Sequence, residues 1–167
     1  FIICFLEDKD AIEYPSKLII ENFQSLFPPK KVMSTKPINY FLEKGEVDEK
    51  YYYRQDKYNY KELVKSINKK ETFYQWRRIY VRENKSGVCP TLTANMGTGG
   101  HNVPLIKDDN GIRKLTPREC FNLQGFPKNF QFPDDVPNTQ LYKQAGNSVT
   151  VDMIKKIAEI IYDCMIK

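Results

Sequence analysis

The segment RKLTPRECFNLQGFP, residues 113–127, specifies its local structure more tightly than any other part of the chain. Thr116 is a preferred N-cap residue, Pro117 suits the first helical turn, and Glu119 three residues after the cap completes a capping box. Gly125 and Pro127 then favour the end of the helix. The pattern predicts a short helix whose apolar face carries Cys120, Phe121 and Leu123.

A second helical pattern runs through residues 141–166. Its apolar stripe at helical spacing consists of Val151, Ile154, Ile157, Ala158, Ile161 and Met165. Gly146, Asn147 and Ser148 come directly before that stripe. Free backbone N–H groups and short polar side chains at this place can meet a polar ligand, and they can equally well cap the helix. Both interpretations stay open.

Residues 73–106 read as a small twisted sheet with an exposed loop. RRIYVREN alternates like a strand, and CPTLTAN and HNVPLI are further candidate strands, separated by a glycine-rich loop. A continuous strand would place Arg78, Tyr80 and Arg82 on one face and Arg77 on the other. The loop NMGTGGHN, residues 95–102, carries no charge, and its glycines would let the backbone approach a ligand closely.

The first 72 residues show a weaker sequence pattern. Residues 1–6, FIICFL, are predicted to form a buried strand, and residues 7–72 an irregular region with short helices. YNYKELVKSINKK can form an amphipathic helix with Tyr60, Leu63, Val64 and Ile67 on one face. The tyrosine cluster could stack on bases or pack against a small core; its members are Tyr51, Tyr52, Tyr53, Tyr58 and Tyr60.

Composition adds weaker constraints. The 167 residues carry 26 lysines and arginines against 21 acidic residues, a net charge of +5 that suits a nucleic-acid partner and also many ordinary proteins. Four distant cysteines and a single histidine offer no convincing zinc set, so no metal is expected, and reduced cysteines favour a cytoplasmic location. No apolar run is long enough to span a bilayer, so no membrane partner is expected.

Several segments, in this order, resemble the C-terminal part of the DNA (cytosine-5) methyltransferases. FIICF is similar to the end of that family's eighth motif, and RRIYVRENKSGVCPTLTANMGTGG to the core of its target recognition domain. RKLTPRECFNLQGFP resembles the ninth motif, and YKQAGNSVTVDMIKKIAEII resembles the tenth.

The resemblance implies an α+β fold class: a small target recognition domain with a short twisted β-sheet and irregular segments, plus a C-terminal helix. That helix would complete a doubly wound α/β catalytic domain that is missing here. Residues 1–6 would end a strand of that catalytic domain. Residues 7–127 would form the DNA-binding domain with the ninth motif, and residues 128–167 the hinge and the helix of the tenth motif.

The resemblance also implies a reaction. The family flips a cytosine out of duplex DNA. A cysteine thiolate adds to carbon 6, and a methyl group from S-adenosylmethionine moves to carbon 5. The family's Pro-Cys-Gln and Phe-x-Gly-x-Gly motifs do not occur in this sequence. Cys89-Pro90 has the reversed order, and Cys89 is expected to be a small buried residue. No catalytic residue is therefore assigned, and the chain alone is expected to be inactive.

Site residues follow from the same resemblance. Thr91 would bond a backbone phosphate beside the flipped nucleotide, and Arg78 would grip phosphate or read guanine. The whole predicted DNA-binding set is Arg78, Tyr80, Arg82, Thr91, Leu92, Gly97, Thr98, Gly99, Gly100 and His101. The predicted contacts to S-adenosylmethionine are Asn147, Ser148 and Val149. Arg118 and Glu119 would be structural, tying the helix of the ninth motif to the recognition region.

The sequence thus predicts the recognition part of a methyltransferase of a restriction-modification system. It would act on double-stranded DNA with an N-terminal catalytic part of the same enzyme or with a separate catalytic subunit. Phe1 in place of methionine favours a piece cut from a single-chain enzyme. The alternative is a non-enzymatic, sequence-specific DNA-binding module, although such a module has no reason to keep the Asn147-Ser148 pair.

Overall fold

The computed structural model of the chain describes residues 16–27, 36–57, 59–85, 87–98 and 102–166. Spatial contacts divide the chain into two compact units, one of residues 1–34 with 152–167 and the other of residues 35–151. The predicted strand at residues 1–6, Tyr58, and the loop residues Gly99, Gly100 and His101 lie outside the described residues. The predicted domain boundaries at residues 6 and 127 stay predictions.

The larger unit is built on a four-stranded antiparallel sheet. Its strands are β1 (Phe73–Arg77), β2 (Tyr80–Asn84), β3 (Leu105–Lys107) and β4 (Ile112–Lys114), in the spatial order β2-β1-β3-β4. β1 pairs along its whole length with β2, but its pairing with β3 consists of the single pair Tyr74↔Leu105. The α+β class with a small sheet is confirmed, and the outer part of the β1–β2 hairpin is a two-stranded ribbon.

The prediction of one continuous strand over residues 77–84 is wrong. The chain reverses at Arg78 and Ile79, and the register pairs Arg77 with Tyr80 and Gln75 with Arg82. Residues directly opposite each other in an antiparallel pair share a face. Arg77 therefore lies on the same face as Arg82, and Arg78 belongs to the turn. A two-residue turn is normally signalled by Asn-Gly or a similar pair, and Arg-Ile carries no such signal.

The predicted strand CPTLTAN is also wrong. Residues 89–93 belong to neither helix nor strand, and a 3₁₀ helix at Ala94–Thr98 spans the end of the predicted strand and the start of the predicted glycine loop. Of HNVPLI, the final Leu105 and Ile106 join the sheet. Pro104 directly before them has no N–H to donate to a ladder, which is a physical reason for the late start of β3.

The described residues form five α-helices: α1 (Ser16–Leu26), α2 (Tyr60–Ser66), α3 (Pro117–Leu123), α4 (Asn138–Asn147) and α5 (Val151–Ile166). Shorter 3₁₀ helices lie at Ile38–Tyr40 and Glu49–Tyr51. On α2 the prediction holds in part, because Leu63 is buried but Val64 is 49% exposed. On α5, Ile157 is buried, whereas Val151, Ile154 and Met165 of the predicted stripe are exposed.

The predicted capping box of α3 is confirmed. The Thr116 hydroxyl accepts a hydrogen bond from the Glu119 N–H at 3.2 Å, and a Glu119 carboxylate oxygen accepts one from the Thr116 N–H at 2.9 Å. Pro117 occupies the first helical position. Both N–H groups would otherwise lack a partner at the helix start, so local sequence alone accounts for where α3 begins.

Two apolar clusters fill the larger unit. One lies around Phe73, Leu115, Cys120 and the aromatic side chains after α3, and the other around Leu63, Tyr74 and Leu105. Two of the clustered tyrosines belong to these clusters, the buried Tyr51 and the partly buried Tyr53, and Tyr52 is buried as well. For these three, the structure supports packing in the core over stacking on bases.

Two glycines let α4 pack closely against the 3₁₀ helix at Ala94–Thr98. A Cβ atom on Gly146 would lie 2.1 Å from the carbonyl carbon of Thr93. A Cβ atom on Gly97 would lie 2.5 Å from the carbonyl oxygen of Thr139. Neither distance leaves room for a side chain, so this contact fixes where the segment leading to Thr93 lies relative to α4.

Candidate nucleic-acid interface

A polar groove of about 340 Å³ lies between the β1–β2 hairpin and residues 90–93. The hairpin contributes Gln75, Trp76, Arg77, Arg82 and Asn84, and the other wall consists of Pro90, Thr91, Thr93 and Asn102. None of these described lining residues is acidic. The groove therefore presents two guanidinium groups, hydroxyls and amides, a set of groups that suits a phosphate backbone.

The antiparallel register brings the two arginines of the groove together. Arg77 ends β1 and Arg82 lies in the middle of β2, on the same face as Gln75. Both arginines are exposed, and neither forms an ion pair with a carboxylate in the described part of the chain. The carboxylate of β2, Glu83, points to the other face and pairs with Lys69 at 2.7 Å. The groove face is thus left with positive charge.

Thr91 faces the groove because its neighbour anchors the segment. Leu92 is 8% exposed and belongs to the main apolar cluster, while Thr91 and Thr93 on either side are exposed. This alternation turns both hydroxyls outward. Leu92, predicted as a DNA contact, can offer a ligand only its backbone, since its side chain is buried.

The remaining predicted DNA-binding residues occupy different places. Arg78 lies in the hairpin turn with a φ of 54°, and Tyr80 beside it is 54% exposed. Thr98 is exposed, and its hydroxyl donates to the carbonyl oxygen of Asn95 at 2.8 Å. The α-carbon of Gly97 faces α4. The structure therefore brings Thr91 and Arg82 together in the groove and places Arg78 at the tip of the hairpin.

A buried ion-pair cluster ties α3 to β4. Glu119 is fully buried and accepts hydrogen bonds from Nη1 and Nη2 of Arg113 at 2.7 and 2.8 Å. It also accepts one from the backbone N–H of Glu43 at 3.1 Å. The Nε of Arg113 donates to Asp108 at 2.6 Å. No ligand can reach Glu119, and its contacts are those that a structural role requires.

The charges of this cluster are mutually stabilised. Burial by itself would lower the pKa of Arg113, but the hydrogen bonds and charges of Glu119 and Asp108 raise it above its ordinary value. Burial by itself would raise the pKa of Asp108, but hydrogen bonds from Arg113 and the Tyr52 hydroxyl lower it. Both groups therefore stay ionised at neutral pH.

Arg118 lies on α3 next to Glu119 but has different surroundings. Its guanidinium carbon lies 3.8 Å from the centre of the Phe132 ring. Its Nη1 is buried and has no hydrogen-bond partner among the described residues. Stacking on Phe132 connects α3 to the segment that follows it, as a structural residue would.

The predicted cofactor residues lie at the turn between α4 and α5. Asn147 ends α4 with an exposed side chain, and Val149 is 45% exposed. Ser148 caps the end of α4: its N–H donates to Gln144 at 2.9 Å and its hydroxyl to Ala145 at 2.7 Å. Capping thus occupies Ser148, while Asn147 and Val149 remain accessible.

Burial makes the two described cysteines of this unit poor nucleophiles. Desolvation raises the pKa of Cys89 to about 12, and its thiol lies 3.3 Å from the Pro90 carbonyl oxygen. Desolvation also raises the pKa of the fully buried Cys120. The thiolate is the reactive form, so neither side chain is prepared for attack on a base.

Comparison with known proteins places these features in a family. A profile of the C-5 cytosine-specific DNA methylases matches residues 1–163. The chain is 55% identical over 147 residues to the Type II methyltransferase M.Bsp6I of Bacillus sp. (strain RFL6), a match that covers 87% of this chain and 46% of that protein. It is 32% identical over 140 residues to M1.ScrFI of Lactococcus lactis subsp. cremoris, covering 84% and 35%.

The chain belongs to the C-5 cytosine-specific DNA methylase family. The resemblance seen in the sequence is thereby confirmed. Among solved structures, the S. pombe Dnmt2 methyltransferase superposes with a TM-score of 0.56 at 15% identity, covering 93% of this chain and 50% of that one. At that identity the match shows a shared fold. This methylase chain spans about half the length, or less, of the proteins it matches.

No helix among the described residues of this methylase chain has the length and apolar character that crossing a membrane requires.

Three residues of the methylase chain that organise the site were missed by sequence reasoning. Arg77 was assigned to the wrong face, and the hairpin that corrects this carries no turn signal. Arg113 received no assignment, because its pairing with Asp108 before β4 and with Glu119 on α3 is recognisable only in the folded chain. Gln124 donates to Ala145 at 3.0 Å and accepts from Thr150 and Val151, so it holds the turn after α4.

Proposed function

We propose that this chain is the DNA-recognising C-terminal part of a cytosine-5 DNA methyltransferase of a restriction-modification system. The whole enzyme would transfer a methyl group from S-adenosylmethionine to carbon 5 of a cytosine at a specific duplex site. The observation that carries the proposal is the groove, where Thr91, Arg77 and Arg82 meet with no described carboxylate among them.

The groove residues would hold the DNA backbone. Arg77 and Arg82 are exposed and form no ion pair in the described segments, so they can pair with phosphates at little cost in desolvation. Thr91 would add one hydrogen bond to a phosphate beside the target nucleotide, which positions the strand without reading a base. Arg78 and Tyr80 at the hairpin tip would reach farther into the duplex. The predicted contacts of Leu92, Gly97, Thr98, Gly99, Gly100 and His101 belong to the same proposal.

The nucleophile would come from an N-terminal catalytic part, either of the same polypeptide or of a separate subunit. The burial of Cys89 and Cys120 supports this division, since their raised pKa values leave little thiolate at neutral pH. The chain would position the flipped cytosine, and the catalytic part would attack it. We place the assembled enzyme in the bacterial cytoplasm, on DNA.

S-adenosylmethionine supplies the methyl group when bound, and the turn after α4 offers it a small contact surface. The exposed amide of Asn147 can donate or accept a hydrogen bond, and the exposed side chain of Val149 can pack on an apolar part of the cofactor. The Ser148 hydroxyl already donates to Ala145, so it can only accept a further bond. Gln124 holds this turn in place.

A chimera tests the proposal. The part of M.Bsp6I that lies outside the match is joined to this chain, and methyl transfer from labelled S-adenosylmethionine to mixed-sequence duplex DNA is measured. Full-length M.Bsp6I serves as the positive control. We expect the chimera to transfer methyl groups and the 167-residue chain alone to be inactive. DNA binding without transfer in the chimera would support the non-enzymatic module instead.

Substitutions in the chimera test the groove. We expect Arg82→Ala to weaken DNA binding and to lower the slope of log K against log salt by about 0.9, the value of one lost phosphate contact. Lys61→Ala on α2 makes the same change of charge at an exposed site outside the groove and should leave the slope unchanged. Equal slopes for all three proteins would refute the phosphate assignment.

A further inference from the structure

Ile79 is unusually exposed for a large hydrophobic residue. Its side chain is 85% exposed, the highest value among the large hydrophobic residues that the structure describes as exposed. It lies at the end of the β1–β2 hairpin, between Arg78 and Tyr80. Burying an isoleucine side chain normally contributes to stability, so full exposure here forgoes that gain.

The turn that presents Ile79 is built from unfavourable residues. Arg78 adopts a φ of 54°, in the left-handed region that non-glycine residues rarely occupy. β-Branched residues are likewise poor choices for tight hairpin turns, where Gly, Asn and Asp predominate. Strained backbone at an exposed tip is often maintained by function. The tip therefore points to a ligand contact.

The shape of the hairpin fits one kind of ligand. β1 pairs with β3 only at Tyr74, so the stretch from Trp76 to Val81 projects as a two-stranded ribbon. The major groove of B-DNA is wide enough to admit such a ribbon. Arg77, Arg78 and Arg82 give the ribbon positive charge, and none of them forms an ion pair among the described residues. This charge favours duplex DNA over a protein surface.

We infer that Ile79 packs against the C5 edge of a pyrimidine in the major groove and so determines sequence preference at one base pair. Its side chain has no hydrogen-bonding group, and the C5 position, which carries the methyl group of thymine, is the apolar part of the major-groove edge. Arg77 and Arg82 would hold the ribbon on the phosphates while Ile79 contacts the base. This inference rests on the proposed function.

The first experiment measures preference. The cytosine that the chimera methylates is first mapped. The chimera then methylates a pool of duplexes randomised around that cytosine, and bisulfite sequencing gives its base preference at every position. Wild type is compared with Ile79→Ala, Ile79→Val and the control Val64→Ala, which truncates a 49% exposed valine on α2. We expect Ile79→Ala to change preference at one position by about fourfold, the effect of one buried methylene-sized contact. Ile79→Val should change it less, and Val64→Ala should have no effect.

The second experiment tests the chemistry of that contact. At the affected position, thymine is compared with uracil, or cytosine with 5-methylcytosine. Wild type should distinguish the members of the pair, and Ile79→Ala should treat them alike. Melting curves of each variant check that folding is unchanged, as expected for a fully exposed side chain.

Several results would overturn the inference. They are an unchanged preference profile for Ile79→Ala, an equal loss at every position, or a sensitivity to the C5 methyl group that survives the substitution. Each of these leaves the proposed function intact, because the wild-type chimera still methylates DNA. A wild-type chimera that does not methylate, beside active M.Bsp6I, would remove the proposed function and this inference together.

Discussion

Two regions of this chain differ in the burial and pairing of their charged side chains. In the anchor, defined as Asp108, Arg113 and Glu119, every charge is paired and two of the three side chains are almost fully buried. At the hairpin tip, defined as residues 78–80, an exposed arginine has no carboxylate partner in the described part of the chain and the turn is strained. The anchor therefore contributes to folding, whereas the tip has features that folding alone does not require.

The largest expected effect comes from breaking the anchor. Glu119→Ala leaves the buried guanidinium of Arg113 without its main partner and removes the acceptor for the N–H groups of Glu43 and Thr116. We expect a loss of about 3–5 kcal/mol in the free energy of unfolding, measured by urea denaturation. Glu119→Gln keeps the shape and one acceptor, so it should lose less. A loss below about 1 kcal/mol for Glu119→Ala would show that α3 is held by packing alone.

An intermediate effect is expected at the contact between α4 and Thr93, which belongs to one wall of the groove. Gly146→Ala forces a methyl group against the backbone of Thr93, so α4 and the 3₁₀ helix must move apart. We expect a loss of about 1–3 kcal/mol in thermal or urea unfolding. Gln144→Ala on the same helix, at an exposed position, is the control and should change stability little. Equal stabilities of the two variants would mean that α4 and the 3₁₀ helix can move apart without loss of stability.

The smallest expected effect on stability, and the one with opposite sign, comes from the tip. Arg78→Gly relieves a positive φ but increases the freedom of the unfolded chain, so the net gain should be at most about 1 kcal/mol. The same substitution should weaken DNA binding by the chimera. Arg78→Lys keeps both charge and strain and should leave stability unchanged. If Arg78→Gly destabilised the chain, the tip would contribute to folding as the anchor does, and the contrast between the two regions would be wrong.

How much could be predicted from the sequence differs between these regions. The start of α3 was predicted residue by residue, because a capping box depends on contacts within four residues. The family was also recognised from ordered motifs. The face of Arg77 was predicted wrongly, because the alternation of residue types along the sequence does not show where a hairpin turn interrupts a strand. The strand expected at 89–95 does not form: residues 89–93 are irregular, and the 3₁₀ helix that begins at Ala94 packs against α4 through Gly97 and Gly146, a contact that local sequence does not reveal.

The sequence by itself therefore determined the family, the α+β class and the capped helix of the ninth motif, since these depend on local pattern and on residue order. Only the tertiary structure decided which polar groups meet. Pairing of β1 with β2 joined Arg77 to Arg82 beside Thr91, and the position of α3 beside β4 gave Arg113 its partner Glu119. These contacts depend on where the chain turns, on strand register and on helix packing, which one sequence does not reveal.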